Sequence, residues 1–451
     1  MTSVNTRVLP GFMELLPEQQ LEFDRIMRII EEEYQRFGFT PLDTPVIERS
    51  ETLLAKAGGE TEKQIYRFKK GANDLSLRFD LTVPLARYVA EHFNYLAFPF
   101  RRCHIGKVYR GESPQKGRFR EFYQCDIDVI GHNTLSIEYD AEIPCVIYAI
   151  FSRLDFGKFT IKMNNRKILS GLMSALEASD IAQDVLRVID KIGKISREDL
   201  VSELEGLGLD NQKIATLMEF VAISGEPVRA IKLLRGLDIS SEQFVTGVNE
   251  LERVTSLMRR MGIPDDYFVV DLSIARGLDY YTGTIYETTF DEYPHIGSIC
   301  SGGRYDNLAS FYTNEQLPGV GISIGLTRLF YQLNEIGLVS SKRKTVADVM
   351  IIPLGADQVD IALDIARVLR DGGICTDVLL EEMSMKRRFK YADRKGVPNV
   401  VVIGDEEARS GQYTVQNMES GTKHKMPIEG IVDHLRGSDP SDNDSGQSSV
   451  H

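Results

Sequence analysis

The sequence predicts an α+β protein: an antiparallel sheet with flanking helices and a helical insertion, followed by a small α/β domain. Three observations carry that expectation. Two alternating strands around a basic turn span Val108 to Asp128, helical periodicity fills 165–258, and short apolar strands alternate with helices over 345–436. At 451 residues the chain is too long for one ordinary core, so two or three domains are expected.

Taken in order, residues 18–37 form an amphipathic helix, with Phe23, Ile26, Met27, Ile30, Tyr34 and Phe37 at helical spacing and Gly38 at its end. An extended stretch runs from Pro41 to Ile47, where Pro45 suits a sheet edge or a subunit contact better than a central strand. Leu75–Phe79 reads as a strand leading into Asp80, Leu81 and Thr82, with a helix across Ala86–His92. The insertion repeats apolar residues at helical spacing: Ile168, Leu172, Leu176; Val185, Ile189; Ile214, Leu217, Val221. Strand signals return at 266–290 and 317–324, which closes a first domain at 1–330. A linker at 331–344 precedes the α/β domain at 345–436. There, strands at Val349–Leu354, Thr376–Leu380 and Asn399–Ile403 alternate with helices at 357–370 and 384–395, the spacing of parallel pairing. Residues 437–451 lack the apolar content to order themselves and read as a disordered tail.

Composition excludes several classes. No apolar run approaches the roughly 20 residues of a membrane span. Met1–Arg7 has no signal-peptide h-region. Five cysteines without C-x-x-C spacing argue against a disulfide framework or a structural zinc site and fit a reducing, cytoplasmic compartment. A net charge of −13 disfavours indiscriminate nucleic-acid binding but leaves room for local basic patches.

The hairpin sorts its residues by chemistry, because side chains alternate across a strand. Tyr123, Cys125, Ile127 and Val129 share the face a core wants, while Arg120, Phe122, Gln124, Asp126 and Asp128 share the other, alongside Val108, Arg110 and Glu112. A guanidinium, an aromatic plate, an amide and carboxylates on one surface suit a phosphate, a purine and a cationic small molecule. Alone, the same pattern fits an exposed charged hairpin. Three further clusters accompany it: Ala275 to Gly283 (ARGLDYYTG), Cys300 to Asp306 (CSGGRYD) and Pro318 to Phe330 (PGVGISIGLTRLF). The Gly-Lys-Ser/Thr ending of a P-loop is absent, which removes a Walker fold.

Together these stretches resemble the histidyl-tRNA synthetases, a family of class II aminoacyl-tRNA synthetases. Helix 18–37 with Pro45 resembles the first class II motif, the hairpin the second and Gly321–Arg328 the third. Residues 276–281 and 301–306 resemble the two histidine-specific motifs. The resemblance implies a class II catalytic domain, an anticodon-binding domain at 345–436 and a homodimer. It implies activation of L-histidine by ATP to histidyl-adenylate, then transfer to tRNA(His). Arg110 and Arg276 would be catalytic. Histidine would be held by Asp80, Leu81, Thr82, Arg110, Gln124, Asp128, Arg276, Tyr280, Tyr281 and Tyr305. Asp128 with Tyr281 would read the ring, and Asp80, Thr82 and Gln124 the α-amino group. ATP would meet Arg110, Glu112, Phe122 under the adenine and Arg328 at the γ-phosphate. Mg²⁺ would bridge the β- and γ-phosphates, with no protein ligand set assigned to it. Lys386, Arg387, Arg388 and Lys390 would contact tRNA. Many family members carry Glu-Gly-Thr where this chain has Asp80-Leu81-Thr82, and Glu at the position of Asp128. The alternative is a histidine-binding, synthetase-like regulatory paralogue; such proteins typically lose the C-terminal domain and erode the Arg-Gly-Leu-Asp-Tyr-Tyr motif, both of which this sequence keeps.

Overall fold

A computed structural model describes residues 4–55, 60–113, 116–189, 191–192, 195–237, 239–274, 281–339 and 343–437. The chain forms two compact units, one of Met1–Glu14 with Ile26–Val339 and one of Leu15–Arg25 with Ser340–His451. No helix among the described residues is long and apolar enough to cross a membrane.

The first unit is organised by a nine-stranded sheet. Its order is Thr40–Pro41, Phe100–Tyr109, Glu121–Ile130, Gly319–Ile324, Ser298–Tyr305, Thr284–Phe290, Phe159–Asn165, Phe268–Asp271, Ser224–Gly225. Neighbours are antiparallel except Thr40–Pro41 on Phe100–Tyr109 and Phe159–Asn165 on Phe268–Asp271, which are parallel. The hairpin forms as its alternation requires, with Cys125, Ile127 and Val129 fully buried on one face. Helix Pro17–Arg36 packs its Ile26, Ile30 and Tyr34 stripe inward, and the Tyr34 hydroxyl donates to the Cys125 carbonyl at 2.8 Å.

Two expectations change. The strand at 75–79 is Asn73–Leu77, and it lies in a separate three-stranded sheet with Ile47–Arg49 and Arg67–Lys70. The helix expected at Ala86 begins at Thr82, because Asp80 Oδ1 accepts from the Thr82 and Val83 amides at 3.2 and 2.9 Å and so satisfies donors at the helix start. Pro84 is tolerated there, since the first turn needs no donor from it. Cys300–Tyr305 lies in a central strand, where a Cβ on Gly302 would sit 2.1 Å from the Gly321 carbonyl oxygen, so glycine permits the neighbouring strand to approach.

Between Asn165 and Phe268 the described residues form six α-helices: Arg166–Ala175, Ala182–Ile189, Arg197–Gly206, Asn211–Val221, Pro227–Arg235 and Glu242–Arg260. Asn165, Ser196, Asp210, Glu226 and Ser241 each accept from a backbone amide at a helix start, contributing about 1 kcal/mol apiece.

The second unit carries a five-stranded sheet in the order Thr376–Val378, Val349–Pro353, Asn399–Ile403, Tyr413–Asn417, Lys423–Met426. The first three strands pair in parallel and the last two antiparallel. Val349 and Ile351 pack with Ile365, Leu369, Ile431 and Leu435 on one face. Met350 and Ile352 pack with Ala392 and Val397 on the other. Burial on both faces is why these strands read as unbroken apolar runs. The two antiparallel strands carry no such signal; Lys423–Met426 is a polar edge.

Candidate active site

A cleft of about 430 Å³ opens over the polar face of the hairpin, within the roughly 300–1,000 Å³ of small-molecule sites. Among the residues named from the sequence, Asp80, Thr82, Arg110, Glu112, Phe122, Gln124, Asp128, Tyr281, Tyr305 and Arg328 line it. One does not enter as expected. The Leu81 side chain is wholly buried in the core, because it precedes the helix on its inward side, and its carbonyl faces Arg102 Nη2 at 3.5 Å. Arg276 and Tyr280 lie outside the described residues.

Arg110 is held between two rings. Its guanidinium carbon lies 4.4 Å from the Phe79 centroid and 5.1 Å from that of Phe122, and Nε donates to the Phe79 carbonyl at 3.3 Å. Stacking of this kind fixes a planar cation that a flexible lysine would leave loose. Strand Phe100–Tyr109 stops one residue short of Arg110, so this side chain leaves the pleat and leans over the cleft. Glu112 approaches Arg118 at 3.5 Å, and Arg328 Nη2 donates to the Ile296 carbonyl at 3.1 Å.

The floor of the cleft holds an element that reading the sequence missed. Arg102 is fully buried, and its Nη2 sits 2.6 Å from Asp128 Oδ2. The Tyr305 hydroxyl donates to Asp128 Oδ1 at 2.7 Å, so both carboxylate oxygens are held. Cross-strand pairing of Arg102 with Asp128 follows from the same register that pairs Tyr109 with Glu121. Extending the alternation backward from Arg110 would have found it. Close approach of the next strand is needed as well: a Cβ on Gly321 would lie 2.4 Å from Asp128 Oδ1.

Asp126 and Asp80 complete the cluster. Burial raises all three carboxyl groups, and the nearby guanidinium groups pull them back: Arg102 for Asp126 and Asp128, Arg110 ahead of Arg102 for Asp80. For Asp126 the result is a value pushed up to about 7. Two guanidinium groups thus face three buried carboxyl groups. Behind them His104 is held down to about 4, first by burial and then by Arg102 and Arg78, so it is neutral at pH 7 and adds no cation. Among the described residues no trio of His, Cys, Asp or Glu is placed to hold a metal ion.

In the second unit, Lys386, Arg387 and Lys390 are exposed along helix Met385–Lys395. Arg388 is not. It is buried, and its guanidinium donates to the Met383 carbonyl at 2.7 Å and to that of Pro353. Its place on the helix turns it inward, away from the three cations the sequence grouped with it, and it anchors the domain instead.

Comparisons with known proteins agree with this geometry. Residues 11–329 match the family model described as histidyl-tRNA synthetase, and 348–437 match the anticodon binding domain. A histidine–tRNA ligase of Clostridium tetani is 53% identical over 430 residues, covering 95% of this chain and 98% of its own. One from Xanthomonas campestris is 47% identical over 441 residues, covering 92% of each. The crystal structure of histidyl-tRNA synthetase from Nostoc sp. PCC 7120 superposes with a TM-score of 0.89 at 37% identity, covering 96% of this chain and all of that one. Sequence match over both units, fold and cleft point the same way, and the chain belongs to the histidyl-tRNA synthetase family, with histidine–tRNA ligation as its activity.

Proposed function

We propose that the cleft activates L-histidine with ATP and then transfers the histidyl group to tRNA(His). The observation that carries this is the floor itself: Asp128 clamped by Arg102 and Tyr305, with Arg110 stacked above between Phe79 and Phe122. A fixed carboxylate accepts from an imidazole N–H. Asp80, Thr82 and Gln124 take the α-amino group. In the first step a histidine carboxylate oxygen attacks the α-phosphorus, the bond to the β-phosphate oxygen breaks, and pyrophosphate leaves. Negative charge spreads over the phosphoryl oxygens, and preorganised cations are the efficient response. Arg110 faces that charge, and Arg276 joins it by family resemblance. Phe122 offers the adenine the ring face that Arg110 does not cover, and Arg328 meets the γ-phosphate. In the second step a hydroxyl of the tRNA's terminal ribose attacks the histidyl carbonyl and AMP leaves.

Mg²⁺ fits this site as an ion that arrives on the nucleotide. It keeps most of its waters and needs only one or two carboxylates beside the phosphates, and Glu112 and Glu287 both line the cleft. When bound, it neutralises phosphate charge. The protein's own residues orient the nucleotide and the amino acid.

ATP–pyrophosphate exchange tested with each of the twenty amino acids should proceed with L-histidine alone. A site of buried hydrogen-bonding groups rejects ligands that leave them unpaired by about 10⁴-fold or more. Histidine binding without exchange would return the protein to the regulatory reading. We assign the chain to the cytoplasm as a homodimer. Val46 and Ile47, exposed beside Pro45, are the apolar surface that a partner would cover. A fully active monomer in light scattering would remove the dimer.

Anticodon recognition is assigned to Lys386, Arg387 and Lys390. Changing these three to glutamate should raise the KM for tRNA about tenfold or more and flatten its salt dependence, since fewer phosphate contacts release fewer counterions. Pyrophosphate exchange should stay near its unmodified rate. Unchanged tRNA affinity and salt slope would show this helix face to be merely solvated.

A further inference from the structure

Arg78 is a buried arginine, 3% exposed, that stands behind the cleft without lining it. Its Nε donates to the Lys107 carbonyl at 2.7 Å, and its Nη1 to the Thr44 carbonyl at 2.5 Å and to Asp43 Oδ1 at 3.1 Å. Its backbone joins the same two segments: the amide donates to the Val46 carbonyl and the carbonyl accepts from the Tyr109 amide, each at 2.9 Å. The next residue, Phe79, accepts from Arg110 Nε at 3.3 Å and sets its ring 4.4 Å from the Arg110 guanidinium carbon. Residues 78 and 79 thus hold Lys107, Tyr109 and Arg110 by hydrogen bonds in succession. Gly106, on strand Phe100–Tyr109, makes the room, because a Cβ there would lie 2.5 Å from Arg78 Nη2.

We infer that Arg78 is a positioning residue for Arg110: it clamps Phe79 to the end of strand Phe100–Tyr109 and so sets where the Arg110 guanidinium stands. The reason lies in where the sheet stops. Tyr109, opposite Glu121, is the last residue of its strand in the ladder. Beyond it, the Arg110 amide donates to the Arg120 carbonyl at 2.9 Å and the Gly111 amide to the Gln64 carbonyl at 2.7 Å. Those bonds hold the backbone. The direction of the side chain comes from Phe79, whose carbonyl and ring both meet the guanidinium. Phe79 shares a peptide plane with the Arg78 carbonyl, so whatever fixes Arg78 fixes Phe79. Burying a guanidinium is costly unless hydrogen bonds meet it, and here carbonyls of two separate segments do so, a junction that an apolar side chain of the same size would not make. Arg78 reaches the chemistry only through Arg110, and placement matters there because an error of about 1 Å can cost about 10²-fold in rate.

The inference rests on Arg110 as the catalytic cation, and a double-mutant cycle separates its failure from the failure of that reading. Single-turnover adenylate formation is measured at saturating ATP and histidine for Arg78→Lys and Gly106→Ala, each alone and each combined with Arg110→Ala. Arg78→Lys keeps the charge but has neither the Nε donor nor the planar fork. Gly106→Ala keeps the arginine and displaces its guanidinium. Each should slow the step about 10–100-fold, by a larger factor than it raises the histidine KM. In the Arg110→Ala background neither should slow it more than about twofold, since the group they place is already gone. A side chain that merely stabilises the fold would slow both backgrounds alike, and that result would overturn the inference. Unchanged rates in Arg78→Lys and Gly106→Ala, beside a slow Arg110→Ala, would overturn it too and leave Arg110 standing. If Arg110→Ala keeps near-normal chemistry, the assignment of Arg110 falls, and the inference with it. Should Arg78→Lys fail to fold, Gly106→Ala carries the cycle alone, since it retains the buried arginine.

Discussion

Arg110→Ala is expected to slow adenylate formation about 10²–10³-fold in single turnover at saturating histidine and ATP, the usual consequence of losing one preorganised group aimed at developing charge. The loss belongs in kcat, because charge on the phosphoryl oxygens grows toward the transition state and an interaction made there leaves ground-state binding less affected. The geometry explains why Arg110→Lys should recover little. The guanidinium lies over Phe79 at 4.4 Å and Phe122 at 5.1 Å and donates through Nε to a backbone carbonyl, so the plane is fixed before substrate arrives. A lysine has neither the plane nor the Nε donor. Near-normal single-turnover chemistry in Arg110→Ala, with only KM changed, would reduce Arg110 to a binding residue. The same measurement on Arg276→Lys tests the second arginine on equal terms.

Arg102→Met should be the most damaging change that touches no ligand. Removing one partner from a buried ion pair leaves the other uncompensated, typically at about 3–5 kcal/mol, and here Asp126 and Asp128 both lose the cation that lowers them. The pH dependence follows from the sign of those shifts. A carboxyl raised in the folded state contributes stability fully below its unfolded pKa and loses it as pH rises through the folded value, about 7 for Asp126 in the intact protein. Without Arg102 the folded values rise further. The melting temperature of the variant should therefore fall increasingly below that of the unmodified protein between pH 5 and pH 8, by calorimetry. Histidine KM should rise as well, since a protonated Asp128 no longer offers a full acceptor to the ring. Adding Asp126→Asn should return part of the stability, because these groups share one cluster and do not act additively. A constant difference in melting temperature across that range would mean that Arg102 acts by packing alone.

Much of the cleft was legible in the sequence because its signals are local. Alternation along one strand sorts Phe122, Gln124 and Asp128 from Tyr123, Cys125 and Ile127 wherever that strand lies, and the pleat holds it so. Apolar runs at 349–354 and 399–403 announce strands covered on both faces for the same reason. The helix start at Thr82 was misplaced because the group that sets it, Asp80, was read as a ligand for substrate and not also as an acceptor for the Thr82 and Val83 amides. Strand Lys423–Met426 was missed because it is a polar edge, and Tyr413–Asn417 because its alternation rests on Tyr413 and Val415 alone, too short a signal to stand out.

What the sequence by itself determined was the family, the catalytic chemistry and the side chains on the hairpin's polar face. What only the tertiary structure decided was depth and partnership. Arg388 and Lys386 are alike as letters in a basic run, yet one is buried among carbonyl oxygens and the other faces solvent. Arg102 stands in an unremarkable stretch, yet strand register sets it, fully buried, against Asp128 at 2.6 Å. The physical reason is that face and periodicity are properties of a few consecutive residues. Burial and charge pairing depend on which distant strand arrives beside them, and the cost of an unpaired charge changes several-fold with that arrival.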